Sequence, residues 1–88
     1  MTTSFRLIGF GESKHGFFNQ PRFISGRQVA YTEYQAMLAD PSFDGAALIE
    51  VNHEDWRVIE EFGTEGKSIV CRHFGGFTVE KAPKIVFV

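Results

Sequence analysis

Cys71 and His73 stand two residues apart in the β-branched and aromatic run Lys67-Ser-Ile-Val-Cys-Arg-His-Phe74. Side chains alternate along a strand, so this spacing puts both on one face. A thiol beside an imidazole is the start of a zinc site, or of a nucleophile with its base. Zinc needs four ligands, and only His15 and His53 remain, neither at a ligand spacing from a partner. A nucleophile also needs a third group to orient the base, and the sequence places none. The pair reads as a buried structural thiol beside a surface or edge histidine. No catalytic residue, metal ligand or cofactor is expected.

Gly9-Phe-Gly-Glu-Ser-Lys-His-Gly16 is the second stretch with chemical content. A phosphate loop needs its lysine directly after the last glycine, then Ser or Thr opening a helix. Here Lys14 precedes Gly16, and Glu12 would repel phosphate. The stretch reads as a turn, with Ser13-Lys14-His15 beside Phe17-Phe18 as a contact loop. Glu60 and Glu61 are neighbours that point apart on a helix, so they read as a solvated face and not as an acid/base pair.

Two short segments resemble nucleic-acid-binding motifs. Phe62-Gly63-Thr64-Glu65-Gly66-Lys67-Ser68-Ile69 resembles the glycine-x-x-glycine loop of KH domains, with an aliphatic residue three on. The resemblance implies a loop whose amides clamp a nucleic-acid backbone. It covers eight residues, puts Glu65 where phosphate would sit, and runs into a strand where that family has a helix. Arg72-His-Phe-Gly-Gly-Phe-Thr-Val79 is similar to the inner-strand motif of RNA-recognition motifs, in which aromatic residues stack bases. Its second glycine breaks the motif's spacing, and Glu80 falls near an expected aromatic. A single-stranded nucleic-acid surface, if present, would be a sheet face bearing Arg22, Phe23, Arg72, Phe74 and Phe77.

Charge is distributed in blocks. Residues 1–30 carry a net +3, residues 31–65 a net −8 and residues 66–88 a net +3, for a total of −2. One reading is internal neutralisation, in which two basic sheet segments pair with acidic helices; the other is an acidic face that steers toward a basic partner. Its members would be Glu54, Asp55, Glu61 and Glu65. The balance excludes a generally basic coat for nucleic acid.

These residues must be positioned by short elements. Ser4–Phe10 carries apolar residues on both faces, as a covered strand does. Residues 11–21 have no steady period and read as a loop. Phe23–Ser25 and Gln28–Tyr31 flank Gly26-Arg27 as a small hairpin. Thr32 reads as a helix N-cap with Gln35 completing a capping box, and Tyr34, Met37 and Leu38 form the apolar stripe. Pro41 ends that helix near Ala39. Ala46–Val51 reads as a buried strand. Residues 53–62 fit a helix, with Trp56, Val58, Ile59 and Phe62 within about 160° of arc and Gly63 as its left-handed end. They also fit a strand followed by a turn at Gly63–Gly66, and the helix is favoured. Lys67–Phe74 and Phe77–Lys81 form a hairpin around Gly75-Gly76, and Lys84–Val88 is a final strand.

The chain of 88 residues holds ten phenylalanines, nine glycines and three prolines. At this mass roughly 64% of the unfolded surface can be buried, enough for one core and one domain over residues 1–88. One cysteine gives no internal disulfide framework, and no apolar run approaches a membrane span. Neither a signal peptide nor membrane attachment is expected, and the location expected is the cytoplasm. The expected fold class is α+β: an antiparallel or mixed sheet of four to six short strands with two short helices on one face. The expected core includes Leu7, Ile24, Leu38, Ile49, Ile69 and Val86. The expected function is a non-enzymatic protein-binding module with a basic partner. By size it is similar in kind to the accessory and inhibitor proteins of phages and mobile elements. The alternative is single-stranded nucleic-acid binding.

Overall fold

Apolar residues on both faces of Thr3–Ser13 (β1) place it at the centre of a sheet. The computed structural model describes residues 3–53, 55–73 and 76–81. In it β1 pairs antiparallel with Gly16–Ile24 (β2) on one side and with Gly45–Asn52 (β3) on the other. Asp55–Phe62 (β4) pairs antiparallel with β3, so the sheet runs β2-β1-β3-β4. The helix Arg27–Ala39 (α1) covers one face. A separate hairpin of Lys67–His73 (β5) and Gly76–Lys81 (β6) covers the other. Phe5, Leu7, Ala46 and Leu48 meet Ala30, Tyr34 and Met37 on the helix side. Ile8, Phe10 and Ile49 meet Phe77 and Val79 on the hairpin side. Among the described residues no helix is long and apolar enough to cross a membrane.

The fold is α+β, and every strand pairing among the described residues is antiparallel. The expectation of two helices on one face needs correction: one helix forms among the described residues, and the second face is covered by a hairpin. Residues 53–62 are strand, and the physical reason is a bulge. The ladder pairs Leu48 with Glu60 but Ile49 with Val58, which leaves Ile59 as the extra residue. Val58 then packs toward the hairpin and Ile59 and Phe62 toward the helix. That reset of the alternation mimics a helical period.

Residues 11–21 also depart from expectation. Gly11 pairs with Phe18, Glu12 with Phe17 and Ser13 with Gly16, around a turn at Lys14-His15. Phe17 packs on Phe10 at a ring separation of 5.9 Å, and Phe18 on Phe43 at 6.1 Å. Pro21 is tolerated because β2 is an outer strand. The helix starts at Arg27 from Gly26, so residues 28–31 are its first turns and not a hairpin arm. Thr32 lies inside it, its Oγ1 donating to the Gln28 carbonyl at 2.9 Å. The buried stripe is therefore Ala30, Tyr34 and Met37, and Leu38 is 42% exposed.

Leu7, Ile24 and Ile49 are buried as expected, and Ile69 is half-buried against the Ile8 cluster. Val86 and the final strand lie outside the described residues. Gly63 does adopt a left-handed backbone, φ +69°, but at a strand end. A Cβ there would sit 2.3 Å from the Asp44 carbonyl oxygen, so glycine is required twice over.

Candidate functional site

The strand β4 is an outer strand, so one side of its backbone has no strand partner among the described residues. Asp55, Trp56, Arg57, Glu60 and Glu61 on it are exposed, as is Glu65 in the turn that follows. Thus three of the four carboxylates expected to form the acidic surface fall on one edge, and Glu60 joins them. Glu54 lies outside the described residues. Asp55 Oδ1 accepts from the Trp56 amide at 2.9 Å, and a Glu61 carboxylate oxygen accepts from the Thr64 hydroxyl. The Tyr34 hydroxyl is pushed above its ordinary value by burial first, then by the charges of Glu60 and Glu61.

The one cation on β4 is engaged elsewhere. Arg57 Nε donates to Glu50 Oε1 at 3.1 Å, and Arg27 Nη2 donates to Glu50 Oε2 at 2.5 Å. Glu50 is 4% exposed and also accepts from Asn52 Nδ2 at 3.3 Å. The bond from Arg27 holds its carboxyl below the ordinary value, opposed by burial and helped by Asn52 and Arg57. Arg57 is thus paired with Glu50 while its side chain stays 72% exposed. Trp56 is 38% exposed, and its ring meets Phe77 edge-on at 5.0 Å.

At the other side of the sheet, Arg6, Ile8, Pro21, Phe23, Gly76 and Phe77 line an open groove of about 520 Å³, together with Arg22. Three of the five residues expected on a nucleic-acid surface, Arg22, Phe23 and Phe77, thus meet at one place. Their exposure differs. Phe23 is 67% exposed, but Phe77 is 5% exposed and serves the core. Arg22 Nη1 bonds Glu33 Oε1 at 2.7 Å, and Arg72 is paired with Glu80. Phe74 lies outside the described residues.

The structure places Cys71 at an exposed position, which corrects the expectation of a buried thiol. The β5–β6 ladder shifts register between Cys71 and His73, so the strand is not regular across this pair. Among the described residues no three or more His, Cys, Asp and Glu side chains gather to hold a metal ion. The Gly63–Gly66 turn leads from β4 into β5, strand to strand, unlike the KH arrangement. The glycine-rich Gly9–Gly16 segment belongs to the β1–β2 hairpin.

Sequence reasoning missed Arg6 and Trp56. The alternation Arg6-Leu7-Ile8 already put Arg6 on the hairpin-side face. Trp56 was hidden by reading residues 53–62 as a helix. No family model, no curated protein and no solved structure matches the chain.

Proposed function

We propose that the chain is a non-enzymatic protein-binding module that docks a basic, extended segment of a larger protein along β4. The observation that supports this reading is the set of exposed carboxylates at Asp55, Glu60, Glu61 and Glu65 on an outer strand and its turn. The only cation on that strand is turned to Glu50. An added strand would draw its affinity from backbone hydrogen bonds and from Trp56 as a partly exposed anchor. The carboxylates would mainly accelerate encounter, since exposed ion pairs contribute about 0–1 kcal/mol each. The bulge at Ile59 limits regular pairing to Asp55–Val58 or to Glu60–Phe62. The opposite edge, β2, carries Pro21 and is the poorer template. By occupying its partner such a module would act as an accessory or inhibitory protein.

The nucleic-acid alternative draws less support, because Arg22 and Arg72 are already paired with carboxylates and Phe77 is buried. The test is a titration of isotope-labelled protein with an eight-residue peptide of alternating Lys and Val, and with its Glu-Val counterpart. The basic peptide should shift the amides of Asp55–Phe62, less so at high salt or with Glu60→Lys/Glu61→Lys. Equal response to both peptides, or shifts confined to other strands, would remove this reading.

A further inference from the structure

The register of the main sheet fixes which backbone groups of β4 are open to a docked strand. Two-residue loops close both of its hairpins, at Ser13↔Gly16 and at Asn52↔Asp55. The pair flanking such a loop exchanges both hydrogen bonds, and direction then alternates residue by residue. Counted from the first loop, Ser4 and Arg6 turn their backbone groups toward β3, where they face Val51 and Ile49. Counted from the second, Trp56 and Val58 turn theirs away from Val51 and Ile49. The two counts agree, because Val51 and Ile49 are already bonded to β1. By the same count Pro21, which has no N–H, falls at an outward position of β2. The N–H and C=O groups of Trp56 and Val58 are therefore the template on the first half of the β4 edge, before the bulge at Ile59 breaks the alternation.

One of these four groups is already taken. The Trp56 N–H donates to Asp55 Oδ1 at 2.9 Å. Building on the docking reading above, we propose that Asp55 is a latch on β4. In the free protein its carboxylate occupies the place that a partner's carbonyl would take, and docking requires it to let go. Trp56 and Asp55 are both exposed, so the carboxylate can swing into water when it is displaced. The Trp56 ring, edge-on to Phe77 at 5.0 Å, holds the latched residue in position while the carboxylate moves.

This role separates Asp55 from Glu60, Glu61 and Glu65. Those carboxylates draw a basic segment toward the edge. Asp55 withholds a backbone donor until the segment arrives. A lysine or arginine on that segment gives the released carboxylate a new partner, which a neutral strand does not.

The test compares Asp55→Asn with Asp55→Ala on the isotope-labelled full chain, using the eight-residue Lys-Val peptide. Both variants lose the charge, and only alanine loses the acceptor. Asp55→Ala should bind the peptide about two- to ten-fold more tightly than Asp55→Asn, the range of one net hydrogen bond. In the free protein, exchange of the Trp56 amide with water should be faster by a similar factor in Asp55→Ala than in wild type or Asp55→Asn, once the intrinsic effect of the neighbouring side chain is divided out. Position 55 is exposed, and unchanged amide shifts across β3 show that the fold is kept. Equal affinities of the two variants, or tighter binding by Asp55→Asn, with β4 still shifted by the peptide, would overturn the latch and leave docking standing. Exchange at Trp56 that is insensitive to Asp55→Ala would overturn it as well. No peptide shift on β4 in wild type or in either variant would remove the docking reading and the latch together.

Discussion

Asn19 is expected to hold the hairpin on the sheet, and Asn19→Ala should release it. Its Nδ2 donates to the Val79 carbonyl at 2.9 Å, and its Oδ1 accepts from the Val79 amide at 2.7 Å. Val79 stands opposite Ile69 in the β5–β6 ladder. In an antiparallel ladder every second residue turns its N–H and C=O away from the partner, and Asn19 satisfies both outward groups of Val79. Val79 is 0% exposed, so water cannot replace the lost amide without opening the structure. Stranding one buried polar group costs about 1–3 kcal/mol, and partial relaxation brings the pair to about 2–4 kcal/mol. Total stability for a domain of this size is about 4–13 kcal/mol, so the loss is a large share. Urea melts should show it as a lower midpoint, and thermal melts as a fall in Tm of about 10–20 °C. Asn19→Asp should fail as well, since it keeps the acceptor but sets a carboxylate against the Val79 carbonyl. Hydrogen exchange should report early loss of protection across β5 and β6. A shift under about 0.5 kcal/mol with that protection unchanged would refute the clamp, because this is the scale of an ordinary surface substitution.

Ile49→Ala, at a fully buried position between sheet and hairpin, should cost about 2–5 kcal/mol in urea melts. Leu38→Ala, on the exposed side of α1, should cost under about 0.5 kcal/mol, and the reverse order would misplace the core. Glu50 has a depressed folded pKa, so its contribution is present above the ordinary carboxylate value of 4.5 and is lost as pH falls through the folded value. Glu50→Gln should therefore lower stability at neutral pH and flatten the acid limb, leaving the slope from Asp40, whose carboxyl is held low by the Ser42 amide. An acid limb identical to wild type would remove Glu50 from the linkage. Native alkylation of exposed Cys71 by a maleimide should run within about ten-fold of the rate in urea, since exposure governs access; strong protection would contradict its placement.

What the sequence revealed depended on whether a segment's pattern came from one element. Ala46–Val51 is apolar on both faces and is covered on both, so strand and burial were legible together. The hairpin of residues 67–81 was legible from β-branched runs around two glycines. Residues 53–62 were not, because the bulge at Ile59 turns apolar groups to both faces and imitates a helical arc. The start of α1 was hidden by Gly26, which suits a turn and an N-cap equally. The acidic residues were legible as a group from local charge alone, and the outer strand gathers them much as a helix face would. The groove was not legible as a whole. Arg6 and Phe23 are opposite each other only through the β1–β2 register, which lies across a segment that reads as loop. Cys71 was misjudged because apolar neighbours along a hairpin strand do not bury the side that faces solvent.

Capture from nuclease-treated cell extract on the tethered protein, comparing wild type with Glu60→Lys/Glu61→Lys/Glu65→Lys, tests the central claim most directly. Mass spectrometry of the bound fraction should find a protein with a basic surface that survives nuclease treatment and is lost from the charge-reversed variant. Recovery that depends on intact nucleic acid, or that is equal on both forms, would contradict docking along β4.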